Sequence, residues 1–173
     1  MRSLIAAGLM VVPLCLADTA AIAAPPQLLN KTVLVSWSES AQQKLPDGRT
    51  IAETISRTRT VYVSSAGRVF VKAVSRGSGG GGKSEEVAPG SSNTSLNFKG
   101  NTLVGHAVFA GFARQVVVTF DPAFSSCSVN VTYGRSGGPR TWKSYDGQRT
   151  IELLSLSVGG TSCSIRDGNA LAS

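Results

Sequence analysis

Two arginines spaced one residue apart are the side chains of this sequence best suited to bind a small anion. Arg57 and Arg59 lie in a Thr-rich stretch and share their parity with Ile55, Val61 and Val63. Because side chains alternate between the faces of a β-strand, all five would lie on one face. If that face lined a barrel, both guanidinium groups could hold a carboxylate or phosphate. The alternative is a bulge between Arg59 and Val61 that turns the arginines to solvent.

A glycine-rich segment matches the pattern of a phosphate-binding loop. Residues 77–84 read GSGGGGKS, which fits GxxxxGK[ST]. That motif needs a helix that begins at the lysine, because backbone N–H groups and the helix dipole hold the phosphates. Glu85 and Glu86 would place negative charge beside the phosphates, and Pro89-Gly90 would end a helix within two turns. We therefore expect a flexible loop over residues 77–92 and no bound nucleotide.

No constellation of residues predicts an enzyme. His106 is the single histidine, its parity indicates an outward or lightly buried side chain, and the sequence has no G-x-S-x-G elbow. A glycosidase needs two carboxylates that face one cleft. No such pair stands out, and Asp121 before Pro122 is more simply a turn former. We expect no cofactor and no metal, and a hydrolase with an unrecognised carboxylate pair stays open as an alternative.

The N-terminal segment, residues 1–23, has the features of a secretory signal helix. Arg2 precedes an apolar run from Leu4 to Leu16, which is too short to span a bilayer comfortably. Ala21-Ile22-Ala23 fits the A-x-A cleavage pattern. We expect cleavage near Ala23 and a periplasmic or extracellular domain over residues 24–173, without stable membrane insertion. An uncleaved membrane anchor is the alternative.

Cleavage would remove Cys15 and leave Cys127 and Cys163. An even pair of cysteines in an exported chain predicts a disulfide, because the compartment is oxidising. Two free thiols in the core are the alternative. Residues 127–134 alternate between apolar and polar side chains, which indicates that Cys127 points inward.

The remaining pattern predicts an all-β domain. Runs rich in Thr, Val and Ile are separated by turn signals such as Pro46-Asp47-Gly48, and no helical period is sustained. About eight or nine antiparallel strands are expected. We favour a barrel-like meander, because most successive strands are near enough to be hairpin partners, and a two-sheet sandwich is the alternative. Gly159-Gly160 is expected to be a turn between the last two strands.

Several segments resemble a family of small exported proteins of rhizobial and related soil bacteria. They are YVSSAGRVF (62–70), FKGNTLVG (98–105), ARQVVVTFD (113–121), SSCSV (125–129) and TSCSI (161–165). The resemblance implies export and a shared disulfide-tied β domain, and it implies no catalytic residues.

The net charge of the chain indicates which partners it could bind. The formal net charge of +7 favours contact with acidic polymers or membrane surfaces, although the basic residues form no dense run. The sequence thus predicts an exported, non-enzymatic binding or interaction protein. Its ligand would be a small anion held in a barrel or, alternatively, an acidic envelope polymer held on a basic outer face.

Overall fold

A computed structural model of the protein describes residues 24–78, 82–86, 94–143 and 149–171. The regular structure of these residues consists of ten β-strands and one turn of 3-10 helix over Pro26–Leu28. The all-β expectation is therefore confirmed. No helix within these ranges is long and apolar enough to cross a membrane. The signal helix expected over residues 1–23 lies outside the described part of the chain.

The ten strands form two antiparallel sheets. The strands are β1 Lys31–Lys44, β2 Thr50–Val63, β3 Val69–Gly77, β4 Gly82–Glu86, β5 Thr94–Lys99, β6 Thr102–Phe109, β7 Phe112–Phe120, β8 Cys127–Arg135, β9 Thr141–Lys143 and β10 Thr150–Asp167. The large sheet has the order β4-β3-β2-β1-β10-β9, and the small sheet has the order β5-β6-β7-β8.

Neither sheet closes on itself, so the expected barrel was wrong and the sandwich alternative fits better. Successive strands do pair as a meander within β1–β4 and within β5–β8. The chain departs from that order at its end, because β10 pairs with β1 and not with β8. This pairing extends from Lys31 to Lys44 and satisfies the second edge of β1 along its length. It leaves β8 at an edge of the small sheet.

The segment around Gly159-Gly160 corrects a second expectation. These glycines do not turn the chain, because β10 continues through them as one strand. The register with β1 shifts between Ser36 and Ser38, so the extra residue forms a β-bulge opposite Trp37. Gly160 has φ +55°, a backbone conformation that glycine adopts without strain. A glycine pair signals both a turn and a bulge, and only strand pairing separates the two.

The loop expected over residues 77–92 is partly a strand. Gly77 ends β3, and Gly82–Glu86 pairs with β3 as strand β4. Lys83 therefore lies within a strand and not at the start of a helix, so the phosphate-binding geometry does not form at this residue. The rest of the expected loop, residues 79–81 and 87–92, lies outside the described residues.

Two apolar clusters fill the space between the sheets. The larger contains side chains of both sheets and their connections, namely Leu28, Val33, Val35, Trp37, Val61, Val63, Leu103, Val118, Phe120, Phe124 and Val131. The smaller contains Ala41, Phe112 and Leu153. Full burial of a large apolar side chain is worth about 1.5–3 kcal/mol, so these contacts hold the two sheets face to face.

A disulfide also joins the sheets. Cys127 begins β8 and Cys163 lies in β10, and the pair is bonded with its Cα atoms 5.6 Å apart. The expected pairing is confirmed. The inward orientation of Cys127 is confirmed too, because it shares the more buried face of β8 with Val129, Val131 and Tyr133. The bond ties the edge strand of the small sheet to the interior of the large sheet.

Candidate functional site

Arg57 and Arg59 lie on the inner face of the large sheet. The register of β1 with β2 runs without a shift from Lys31 opposite Val63 to Lys44 opposite Thr50, so no bulge turns the arginines to solvent. Arg57 lies opposite Trp37 and Arg59 lies opposite Val35. Paired residues in antiparallel strands place their side chains on the same face, and Trp37 and Val35 are core residues.

The centre of this inner face is a fully buried carboxylate, Glu39, whose exposed fraction is 0%. It follows Trp37 by one inward position on β1 and lies between the two apolar clusters. One oxygen, Oε1, accepts four hydrogen bonds. The donors are Nε1 of Trp37 at 2.8 Å, Nε of Arg57 at 2.5 Å, Nη1 of Arg114 at 3.4 Å and the hydroxyl of Tyr133. We call these five residues together with Arg59 the charged cluster.

Aromatic rings and one hydroxyl support the arginines of the charged cluster. The guanidinium of Arg114 lies 5.2 Å from the ring centroid of Trp37 and 5.4 Å from that of Phe109. Arg59 lies 5.7 Å from Trp37, and Arg57 lies 5.7 Å from Phe109. Cations are attracted to the face of an aromatic ring, most strongly where water is excluded. Nη1 of Arg57 also donates to Oγ of Ser75 at 2.8 Å.

These surroundings shift the pKa values of two groups. Burial alone would raise the pKa of Glu39, but the hydrogen bond and charge of Arg57, with help from Tyr133 and Arg114, lower it below its usual value. Glu39 is therefore ionised at neutral pH. Burial and the negative charge of Glu39 raise the pKa of Tyr133 to about 12. Tyr133 thus stays protonated and remains a hydrogen-bond donor.

The second oxygen of Glu39, Oε2, is buried and has no hydrogen-bond partner among the described residues. Two guanidinium groups, those of Arg57 and Arg114, form ion pairs with the other oxygen, Oε1. A second acid on this inner face, Glu53, accepts a hydrogen bond from Nε2 of Gln43 at 2.6 Å, and the register of β4 places Glu85 on the same face, opposite Ala73. At neutral pH Glu39 stays ionised and Tyr133 stays protonated, so the cluster can fix charged groups in position but is poorly suited to proton transfer.

Sequence reasoning found Arg57 and Arg59 but missed Glu39, Arg114 and Tyr133 as their neighbours. A signal for Glu39 was present, because it continues the inward parity of Trp37 and Ala41. A charged residue on an apolar face requires a buried partner of opposite charge. No local pattern could identify Arg114 and Tyr133 as partners, since both lie on the small sheet.

The remaining candidate residues do not join the cluster. His106 is exposed on β6, as expected, and the carboxylate of Asp121 accepts hydrogen bonds from the backbone of Ser125 and Ser126, which fits a turn former. Within the described residues, no group of three or more His, Cys, Asp or Glu side chains could hold a metal ion.

The outer face of the large sheet is the second candidate site. Strands β2, β1 and β10 contribute three consecutive rows, which contain hydroxyl side chains and one glycine. The rows are Thr58–Ser36–Ser162, Ser56–Ser38–Gly159 and Thr54–Ser40–Ser157. We call these eight hydroxyl residues the hydroxyl patch.

Basic side chains surround the hydroxyl patch on the same outer face. They are Lys44, Lys72, Arg76 and Arg166, as the register of their strands indicates. Of these, Lys44, Arg76 and Arg166 are exposed, whereas Nζ of Lys72 donates to the carbonyl of Leu171 at 3.0 Å. The register also places two acids on this outer face, Glu152 of β10 opposite Lys44 and Glu86 of the edge strand β4 opposite Lys72.

Comparisons of this chain with protein-family models, with curated proteins and with solved structures find no match.

Proposed function

We propose that this protein is an exported, non-enzymatic interaction protein that binds an acidic polymer of the cell envelope through the outer face of the large sheet. The observation that carries the proposal is the charge around the hydroxyl patch, where the strand register places four basic residues against two acids, Glu152 opposite Lys44 and Glu86 opposite Lys72. A surface of one sign raises the local concentration of a polymer of the opposite sign and speeds its association.

The shape of the face suits a polymer better than a small molecule. Its side chains in the hydroxyl patch are serines and threonines, so no bulky residue interrupts the surface. Three neighbouring strands and three rows span about 10 Å by 13 Å. Small ligands normally bind in concave clefts that bury most of their surface, whereas an extended chain can lie across an open sheet.

Export is supported by two features. The N-terminal segment has the signal-peptide pattern, and Cys127 and Cys163 form a structural disulfide of the kind that persists in oxidising compartments. The resemblance to small exported proteins of soil bacteria points in the same direction.

We propose that the protein is not an enzyme, because its buried carboxylate, Glu39, is held in the ionised state. Arg57 and Arg114 keep Glu39 ionised, so this carboxyl is a poor general acid at neutral pH. Glycosidases pair such a carboxylate with a protonated acid across a cleft. The hydrolase alternative would need Glu53 or another acid to supply that proton.

A small anion at the charged cluster is the second candidate function, and the convergence of Arg57, Arg59 and Arg114 on the aromatic rings of Trp37 and Phe109 favours it. It ranks lower because Arg57 already donates to Glu39 and Ser75. Calorimetric titration with phosphate and with citrate would test it. Binding that Arg59→Ala abolishes would favour the cluster over the outer face.

The main proposal can be tested with residues 24–173 and two acidic polymers, alginate and poly-L-glutamate. Reversing two charges of the face, with Arg76→Glu and Arg166→Glu, should weaken binding to both polymers about tenfold or more, which is a loss of about 1.4 kcal/mol. The matched control is Arg68→Glu with Lys99→Glu, which changes the net charge equally at an exposed turn and on the small sheet.

The control pair should retain at least half of the affinity. Equal losses in both pairs would mean that only net charge matters, which would exclude the outer face as a specific site. A protein that binds neither polymer at low ionic strength would overturn the proposed function.

A further inference from the structure

We propose that the acidic polymer is a polysaccharide and that the hydroxyl patch is its recognition surface. This inference rests on the proposed function and narrows it to one class of polymer. Hydroxyl groups outnumber basic groups on this face, since the patch has eight hydroxyls and four basic side chains surround it. A partner that carried only acidic groups would pair with the basic side chains but would offer no donors to the hydroxyl groups of the patch.

Hydroxyl groups both donate and accept hydrogen bonds, whereas carboxylate and phosphate oxygens only accept them. A sugar ring offers several hydroxyls that can fill both roles at once. An uronic acid adds one carboxylate to each ring. A polyuronate therefore matches the chemistry of the patch and of its basic margin together.

The patch is held rigid by its own strands. The hydroxyls of Ser36 and Ser162 lie 2.7 Å apart on neighbouring strands, and Oγ of Ser38 donates to the carbonyl of Gly159 at 2.7 Å. The bulge at Gly159-Gly160 brings this carbonyl under Ser38. Fixed positions lower the entropy that binding would otherwise cost.

The row Thr54–Ser40–Ser157 is the most accessible part of the patch. All three residues are exposed, and they lie side by side on β2, β1 and β10. A polymer that crosses the strands along this row would contact the three hydroxyls in sequence. We expect this row to increase the affinity for a polysaccharide and to leave the affinity for a purely acidic polymer unchanged.

An anionic membrane or a nucleic acid would also meet a basic surface, but the patch suits either less well. Its rows hold no aromatic side chain that could stack on bases, and the apolar residues Leu34 and Val74 beside it are partly buried, which limits their insertion among lipids. The exposed aromatic Phe70 stacks with Tyr62 two rows beyond the patch. In the row of this ring pair, Thr32 donates to the carbonyl of Gly168, and in the next row towards the patch, Lys72 donates to the carbonyl of Leu171.

The test removes hydroxyls without changing charge. The variant Thr54→Ala, Ser40→Ala, Ser157→Ala should bind alginate about tenfold more weakly than the unmodified protein and should bind poly-L-glutamate equally well. The matched control is Thr119→Ala, Ser128→Ala, Thr132→Ala, which removes an equal number of hydroxyls from the exposed face of the small sheet. This control should bind both polymers normally. Thermal unfolding of each variant shows that it is folded.

The outcomes separate the two proposals. Unchanged alginate binding by the row variant, or an equal loss towards poly-L-glutamate, overturns the polysaccharide inference and leaves the proposed function standing. Tighter binding to vesicles with phosphatidylglycerol or to single-stranded DNA than to alginate also overturns it. Failure of the unmodified protein to bind either acidic polymer defeats the proposed function itself.

Discussion

Glu39 and Arg57 form an ion pair inside the sandwich, with Nε of the arginine 2.5 Å from Oε1 of the carboxylate. The two residues lie on neighbouring strands, and the pair separates the two apolar clusters of the core. Removing one member of a buried ion pair costs more than removing an apolar contact, because the other charge is left buried without compensation.

The first prediction concerns stability at neutral pH. Glu39→Gln should lower the free energy of unfolding by about 3–5 kcal/mol, because Arg57 and Arg114 would lose their buried counter-charge. Urea denaturation measures this loss. The control is Asp167→Asn, whose side chain is 93% exposed and lies 3.9 Å from Lys31. An exposed pair contributes about 0–1 kcal/mol, so comparable losses in both variants would contradict a special role for Glu39.

The second prediction concerns acid. The pKa of Glu39 is lower in the folded protein than in the unfolded chain. Its contribution to stability is therefore complete above the unfolded pKa and is lost as the pH falls through the folded pKa. Urea denaturation between neutral and strongly acidic pH should show that Glu39→Gln has a flatter acid limb than the unmodified protein. Parallel limbs would show that Glu39 does not set the acid dependence.

The third prediction concerns Tyr133, whose pKa is raised to about 12. The folded pKa lies above the ordinary value, so the stabilisation is complete below about pH 10 and is lost as the pH rises through about 12. An ultraviolet titration of phenolate should contain a late step near pH 12 that Tyr133→Phe lacks. If the titration curve keeps that step in the variant, another group is responsible for it.

The fourth prediction concerns the disulfide. Cys127 and Cys163 close a loop with a sequence separation of 36 residues. The chain-entropy model gives a bond across such a loop about 3–4 kcal/mol of stabilisation. The double variant Cys127→Ser, Cys163→Ser should lose this amount, and reductant should no longer affect its urea midpoint. A reductant effect that persists in the double variant would require another source.

The fifth prediction concerns the turn between β6 and β7. Ala110 and Gly111 both have positive φ, as a two-residue hairpin turn of this hand requires, and a Cβ at Gly111 would lie 2.6 Å from the backbone oxygen of Gly138. Gly111→Ala should therefore cost about 1–3 kcal/mol. Gly134→Ala is the control, because its φ is ordinary and nothing lies within 4 Å of its added Cβ. Both variants can be compared by thermal unfolding.

The sequence by itself determined the local features of this protein. Alternation of side chains assigned Cys127 and Val131 to the inward face of β8, and the turn residues separated the strands. These properties depend on neighbouring residues in the chain, so a period of two and a few glycines and prolines are sufficient to predict them. The same alternation placed Arg57 and Arg59 on a face shared with Val61.

Only the tertiary structure decided which strands pair and which faces meet. A period of two assigns a residue to a face but does not name its neighbour across the core. The sequence therefore could not show that β10 pairs with β1. Because of this pairing, the strands form two separate sheets and not the expected barrel. It also could not place Arg114 and Tyr133 beside Glu39, because that contact joins residues 75 and 94 positions apart. Such contacts arise from the competition of all strands for burial and hydrogen bonds, which no short segment encodes alone.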